Sequence, residues 1–218
     1  MSMSIRLVRV NEPGDLVPLA KSSIRDGTSY LFLFDEGGMA NLHDSLLSCL
    51  REGIAEEEGF VVWLPGHSVT TKEGFYAECR RAVPSASYMG SNLDALQDIF
   101  RGEALSRNRE QRTYWIWSHA DMLFQGDCAF FVRAFESLIF CAKEIGEGMQ
   151  NAYRQEFIPP RQKVTLIMTG QWSILGSEAS REDSFTHALK QTSSLRAFPD
   201  DRTGVQVIRV QPSSLPRP

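Results

Sequence analysis

Asp94 and Asp98 stand one helical turn apart in the run Tyr88-Met89-Gly90-Ser91-Asn92-Leu93-Asp94-Ala95-Leu96-Gln97-Asp98-Ile99-Phe100-Arg101-Gly102. Gly90 can turn the chain and Ser91 can cap a helix whose third residue is Asp94. At helical spacing Leu93, Leu96 and Phe100 share one arc, and the two carboxylates lie nearly opposite it. Like charges at this spacing cost an isolated helix about 0.2–0.5 kcal/mol, a cost expected of a surface prepared for an external cation. The ordinary alternatives are a capping-box role for Asp94 and an ion pair of Asp98 with Arg101. Other residue sets promise less. Ser118-His119-Ala120-Asp121 holds triad residue types, but adjacency in sequence is not triad geometry, and no Gly-x-Ser-x-Gly elbow or Gly-rich phosphate loop accompanies it. His43, His67, His119 and His187 fall in separate segments, none at metal spacing from another. Cys49, Cys79, Cys128 and Cys141 form no C-x-x-C pair, which argues against zinc or a disulfide framework and for a reducing cytosol.

These side chains must be positioned by alternating β and α elements. Runs 5–10, 30–34, 60–64, 113–117, 164–168 and 205–210 read as strands, and 39–55, 71–82, 92–101, 127–145 and 183–191 as helices. Such alternation predicts an α/β fold, a largely parallel sheet covered by helices. The helix at 127–145 is apolar around most of its circumference and should be buried, and Trp115 and Trp117 alternate onto one core-facing side of their strand. Breaks are expected at Gly37-Gly38, Pro65-Gly66 and Pro159-Pro160, and 101–111 reads as a polar connector. The tail 211–218, with three prolines, should be extended and mobile.

Charge narrows the partners. The 218 residues carry a formal net charge of −4, but 1–59 hold 5 basic and 10 acidic residues, 60–170 hold 12 of each, and 171–218 hold 6 basic and 5 acidic. No clustered positive field is available to replace counterions on nucleic acid, so direct nucleic-acid binding is disfavoured. Glu56-Glu57-Glu58 reads as an exposed helix end, with a basic partner as the sharper reading. The longest apolar runs are strand-length and the N-terminus lacks a signal-peptide core, so membrane insertion and secretion are not expected and a cytoplasmic location is.

The segment from Gly90 to Asp98 resembles the motif helix of the barstar family of ribonuclease inhibitors, a Gly-x-Asn-Leu-Asp-Ala-Leu-x-Asp string matched by Gly90, Asn92, Leu93, Asp94, Ala95, Leu96 and Asp98. The resemblance extends over 60–170: 61–66 is similar to the family's first strand and turn, 71–82 to its first helix, 113–117 to its second strand, 127–143 to its long helix and 163–168 to its third strand. It implies a stoichiometric inhibitor or immunity protein that blocks the active site of a toxic, secreted nuclease by acidic mimicry of phosphate. It implies too that Asp98 is the main mimic, Asp94 its neighbour, and Tyr88, Asn92 and Gln97 the flanking contacts. The family's second aromatic is Met89 here, the aromatic between its aspartates is Gln97, and the contacting acid of its long helix falls at Cys141.

The expected organisation is an acidic extension at 1–59 packing on the same sheet, a barstar-like domain at 60–170, and a C-terminal extension at 171–218 that adds a strand. No catalytic residue, cofactor or metal is expected. The alternative function is a barstar-fold scaffold or regulatory protein acting through a homo-oligomer or another protein partner.

Overall fold

The computed structural model describes residues 5–25, 29–35, 39–83, 89–106, 111–147, 149–151, 156–158, 164–171 and 205–213. Its strands are β1 (Ile5–Val10), β2 (Ser29–Phe34), β3 (Phe60–Pro65), β4 (Thr113–Ser118), β5 (Met149–Asn151), β6 (Glu156–Ile158), β7 (Val164–Gln171) and β8 (Val205–Pro212). Six of them form one sheet in the order β1-β8-β2-β7-β4-β3, with every neighbouring pair parallel, while β5 and β6 make a separate antiparallel ladder. Parallel strands need long crossovers, which helices supply. These are α1 (Leu16–Arg25), α2 (Met39–Glu56), α3 (Lys72–Ala82), α4 (Leu93–Ser106), α5 (Asp121–Gly126) and α6 (Cys128–Glu147).

Right-handed crossovers running in opposite directions across a sheet place their helices on opposite faces. From β2 the chain passes over β7 and β4 to reach the edge at β3, then steps back through β4 to β7. The two cores follow that path. On one face Leu16, Ala20 and Ile24 of α1 and Leu42, Leu46, Leu50 and Ile54 of α2 pack on Tyr30, Phe32, Phe34, Tyr114 and Ile116. On the other, α3 to α6 pack on Leu31, Leu33, Val62, Leu64, Trp115, Trp117 and Leu166. The period-two alternation along β2 and β4 thus divides between two helical layers, so both strands are buried along their whole length.

β1 and β2, from the 1–59 segment, and β8, from 171–218, join the same sheet as the strands between them. Asp35 at the end of β2 ties the two extensions together, its carboxylate accepting from Nε and Nη2 of Arg209 on β8 at 2.9 and 3.1 Å. Such two-point charge-assisted pairing fixes orientation as well as contact.

Several expectations need correction. Helix α1 is absent from the helices read from the sequence, and it accommodates Pro18 because a proline in the first turn removes only an N–H that has no intrahelical partner. Helix α4 runs on to Ser106 instead of stopping at 101, since Glu103 and Ala104 bury against the core and Gly102 is merely passed through. Helix α5 is additional, and β8 continues to Pro212, so the first residues of the expected mobile tail belong to a strand, while 214–218 lie outside the described residues. The break at Pro65-Gly66 is present: Gly66 donates to Ser118 O at 2.8 Å, and a Cβ on it would sit 2.3 Å from that same oxygen. The helix expected at 183–191 and the breaks at Gly37-Gly38 and Pro159-Pro160 lie outside the described residues.

Thr71 caps α3, its hydroxyl accepting from Gly74 N at 3.1 Å. Thr71→Ala should therefore cost about 1 kcal/mol and Thr71→Gly only a few tenths, read from denaturant midpoints at unchanged slope.

Candidate functional site

Helix α4 is anchored on one side and open on the other. Leu96 and Phe100 are fully buried, with the Phe100 ring edge-on to Trp115 of β4 at 4.7 Å between centroids. Its start is fixed by Asn92, whose side-chain oxygen accepts from Ala95 N at 2.7 Å. Asn92 and not Ser91 is thus the capping side chain, Asp94 falls at the second helical position, and no capping box forms. The backbone ahead of it is held by Arg80 of α3, whose guanidinium donates to Met89 O at 3.4 Å. Met89 itself is buried, so the residue standing where the family has its second aromatic faces the core.

Asp94 and Asp98 point outward, as the helical arc requires, and the Asp98 side chain keeps 78% of its exposure. Arg101 lies between Asp98 and α6. Its Nη1 is 3.5 Å from Asp98 Oδ1, its Nη2 donates to Gln97 Oε1 at 3.1 Å, and its Nε donates to Glu144 Oε2 at 3.0 Å while Nη2 reaches the same oxygen. The guanidinium also rides over the Phe140 ring at 5.9 Å. With its side chain only 19% exposed, Arg101 is held chiefly by Glu144, and Asp98 receives the weaker share. At Arg101 two carboxylates, Asp98 and Glu144, share one guanidinium, and Asp94 stands one turn before Asp98 on the same helix.

Glu144 was not singled out from the sequence, and Phe140 was read only as part of the apolar face of the helix at 127–145. They lie one helical turn apart on α6, and only the packing of α4 on α6 reveals them as neighbours of the motif helix. Cys141, at the position of the family's contacting acid, is fully buried and donates to Gln97 O at 3.9 Å. Burial pushes its thiol up to about 12, so it carries no charge at neutral pH and cannot replace a carboxylate.

Of the five candidate site residues, Asp94, Gln97 and Asp98 share the outer side of α4, and Asn92 is spent on the cap. Tyr88 lies outside the described residues. The acidic N-terminal helices occupy the opposite face of the sheet, so they do not lie beside α4. Part of their charge is answered internally: Lys21 reaches Glu56 at 3.5 Å and Arg25 reaches Glu57 at 3.4 Å, both across the α1–α2 seam. In the Ser118 to Asp121 turn, His119 and Asp121 diverge. His119 packs its ring against His43 of α2, whereas the Asp121 carboxylate accepts from the Gln171 backbone and is raised to about 6 by burial. They form no dyad. Among the described residues no group of three His, Cys, Asp or Glu side chains is placed to hold a metal ion, and no described helix is long and apolar enough to cross a membrane.

Comparison with known proteins finds that residues 59–158 match the family described as barstar (barnase inhibitor). No curated protein matches the chain. Among solved structures, the chain is similar to Cdc6p from Pyrobaculum aerophilum (13% identity, TM-score 0.48, covering 90% of this chain and 43% of that one). It is also similar to a chain of the Drosophila ORC bound to AT-rich DNA and Cdc6 (9% identity, TM-score 0.46, covering 93% of this chain and 28% of that one). The chain thus spans less than half the length of either.

Proposed function

The chain carries a barstar-like domain over residues 59–158, and from that premise we propose that it is a stoichiometric inhibitor or immunity protein, acting in the cytoplasm, that blocks the active site of a toxic nuclease. The observation that carries this reading is Asp98, a carboxylate on the outer side of a helix whose inner side is locked into the core, with Asp94 and Gln97 beside it. A nuclease binds phosphate with Arg and Lys. A carboxylate presented rigidly to such groups forms charge-assisted, bidentate bonds that strengthen as the interface excludes water. The mechanism is occlusion and uses no catalytic group or cofactor of this chain. Tyr88 would border the contact, while Asn92 serves it indirectly, by capping the helix.

The test is calorimetric titration against a barnase-type ribonuclease at low and moderate salt, with RNA cleavage followed in parallel. A one-to-one complex that abolishes cleavage and weakens with salt is the expected result. No heat and undiminished cleavage would exclude this ribonuclease class. The barnase and barstar pair is the general reference for charge-steered association. Steering here should be more modest, because the acidic extension helices lie on the far face of the sheet.

A second reading is favoured by Arg101, which already engages Gln97, Asp98 and Glu144. In a scaffold or regulatory protein these residues would stay paired internally while another surface binds a second copy or a different protein. Light scattering separates the two: a stable oligomer that buries α4 is incompatible with free inhibition through that helix.

A further inference from the structure

Three of the four histidines meet at one end of the sheet. His67 follows β3, His119 follows β4, and His43 lies on α2, which leaves β2, so all three stand at the carboxyl ends of parallel strands. The His43 and His119 rings lie 4.1 Å apart between centroids at 62°, and His67 stands 6.3 Å from His119. His43 is almost wholly buried. Its Nε2 shares a 2.6 Å hydrogen bond with the Thr169 hydroxyl of β7, and that same oxygen accepts from His119 N at 3.2 Å. Phe34 of β2 meets the His43 ring edge-on at 5.4 Å. His119 occupies the left-handed region, with φ of 52°, and its Nδ1 is buried without a hydrogen-bond partner. A non-glycine residue in that region is held there by its surroundings, here by Thr169 and by the tight passage of Gly66 against the Ser118 and His119 carbonyls.

This cluster is also a seam. His67 and His119 belong to the barstar-like stretch, His43 to the helix that precedes it. We propose that His43 and His119 form an acid-sensitive latch: as neutral rings they hold the first turns of α2 against the ends of β4 and β7, and on protonation their like charges drive those turns away.

The groups facing the latch decide its direction. From α2, Asp44 lies 3.7 Å from His43 Nδ1, but its side chain is 80% exposed, so its attraction for an imidazolium is screened by water. From β2, Asp35 is already bound to Arg209 of β8. From β7 comes only the Thr169 hydroxyl, and from the turn after β3 comes His67, another base. Among the described residues no buried carboxylate is aimed at His43. Burial, then the nearness of His119, lowers His43 to about 4, and burial, then His67, lowers His119.

The sign follows from linkage. Two histidines held below their ordinary 6.5 in the folded state give stability that is whole above that value and lost as pH falls toward 4. Asp121 runs the other way. Raised to about 6 by burial, it favours the folded state more as the solution becomes more acidic, so it cannot be the source of a loss on acidification.

The test is amide hydrogen exchange of the intact chain, expressed as protection factors, between about pH 7 and pH 4.5, with the histidine ring resonances followed by NMR. Protection of the first turns of α2 should fall at least about tenfold more than that of α6 over this range, with His43 titrating where the opening occurs. His43→Gln keeps a polar partner for Thr169 without titrating, and His119→Asn suits the left-handed backbone. Each should remove most of the differential loss. Should a variant fail to fold, the wild-type pairing of ring titration with opening still decides. Opening of α2 and α6 together, or His43 titrating near 6.5 with α2 still protected, would overturn the proposal.

Discussion

Phe100→Ala should lower the stability of the fold by about 3–5 kcal/mol, the range for deleting a fully buried aromatic ring. The ring has no exposed surface and is the largest side chain that α4 places in the core, edge-on to Trp115 at 4.7 Å. Its removal forfeits both the transfer of the ring from water and the aromatic contact, and leaves a void in the cluster that its other members cannot fill without leaving their own packing. Phe100→Leu, which keeps most of the volume, should cost less than about 2 kcal/mol. Denaturant midpoints measured at constant slope read both values. The functional consequence is separate from the thermodynamic one. Under conditions where the variant is still folded, α4 would no longer be pinned at its centre, so Asp98 would have to be ordered at the moment of binding. Affinity for a nuclease should then drop although no contact residue has changed. A Phe100→Ala protein as stable as the wild type would mean that α4 is not seated on β4 as described.

The way α4 is seated was largely legible in the sequence because its signals are local. Leu93, Leu96 and Phe100 at helical spacing give its inner face, and the aspartates at one-turn spacing give its outer face. The six strands of the sheet were legible for the same reason: β-branched and aromatic runs such as Thr113 to Trp117 declare a strand by composition alone. What failed locally was decided by tertiary contact. Gly102 in a polar stretch suggests an end, yet Glu103 and Ala104 find burial and carry the helix on to Ser106. Ser91 and Asn92 are equally good caps on paper, and it is the Asn92 side chain that accepts from Ala95 N. The histidine seam was invisible because each member sits after a different strand, and only the strand order makes their ends neighbours.

The same separation explains why the net charge of −4 says little about the candidate site. The acidic third of the chain folds onto the face carrying α1 and α2, and some of its carboxylates are answered by Lys21 and Arg25. The charges close to α4 include Asp94, Asp98, Glu144 and Arg101, with Arg80 at the start of the helix. Specificity would therefore rest on the geometry of these few groups more than on long-range attraction, and the salt dependence of binding should be shallow relative to a uniformly acidic inhibitor.

Asp98→Ala should leave the fold almost unchanged, since its 3.5 Å approach to Arg101 is an exposed pair worth at most about 1 kcal/mol. It should nevertheless weaken a nuclease complex by about 2–4 kcal/mol, as expected of a carboxylate desolvated against Arg or Lys at the centre of an interface. Arg101→Gln makes the contrary case. It removes the guanidinium that Glu144, Gln97 and Asp98 now share, so the fold should lose about 1 kcal/mol, a part-buried charge-assisted contact discounted for water at Glu144. With that internal cation gone, Asp98 and Glu144 are both free to accept from a basic partner, and affinity should rise. Opposite signs for the two variants, measured by titration against the same ribonuclease, would identify the carboxylates as the binding groups and Arg101 as their internal competitor. Equal weakening would instead make Arg101 a strut that holds α4 on α6. Undiminished binding by Asp98→Ala would remove phosphate mimicry from this helix and favour the scaffold reading, in which the pairing of Arg101 with Glu144 is the resting state of a face not used for inhibition.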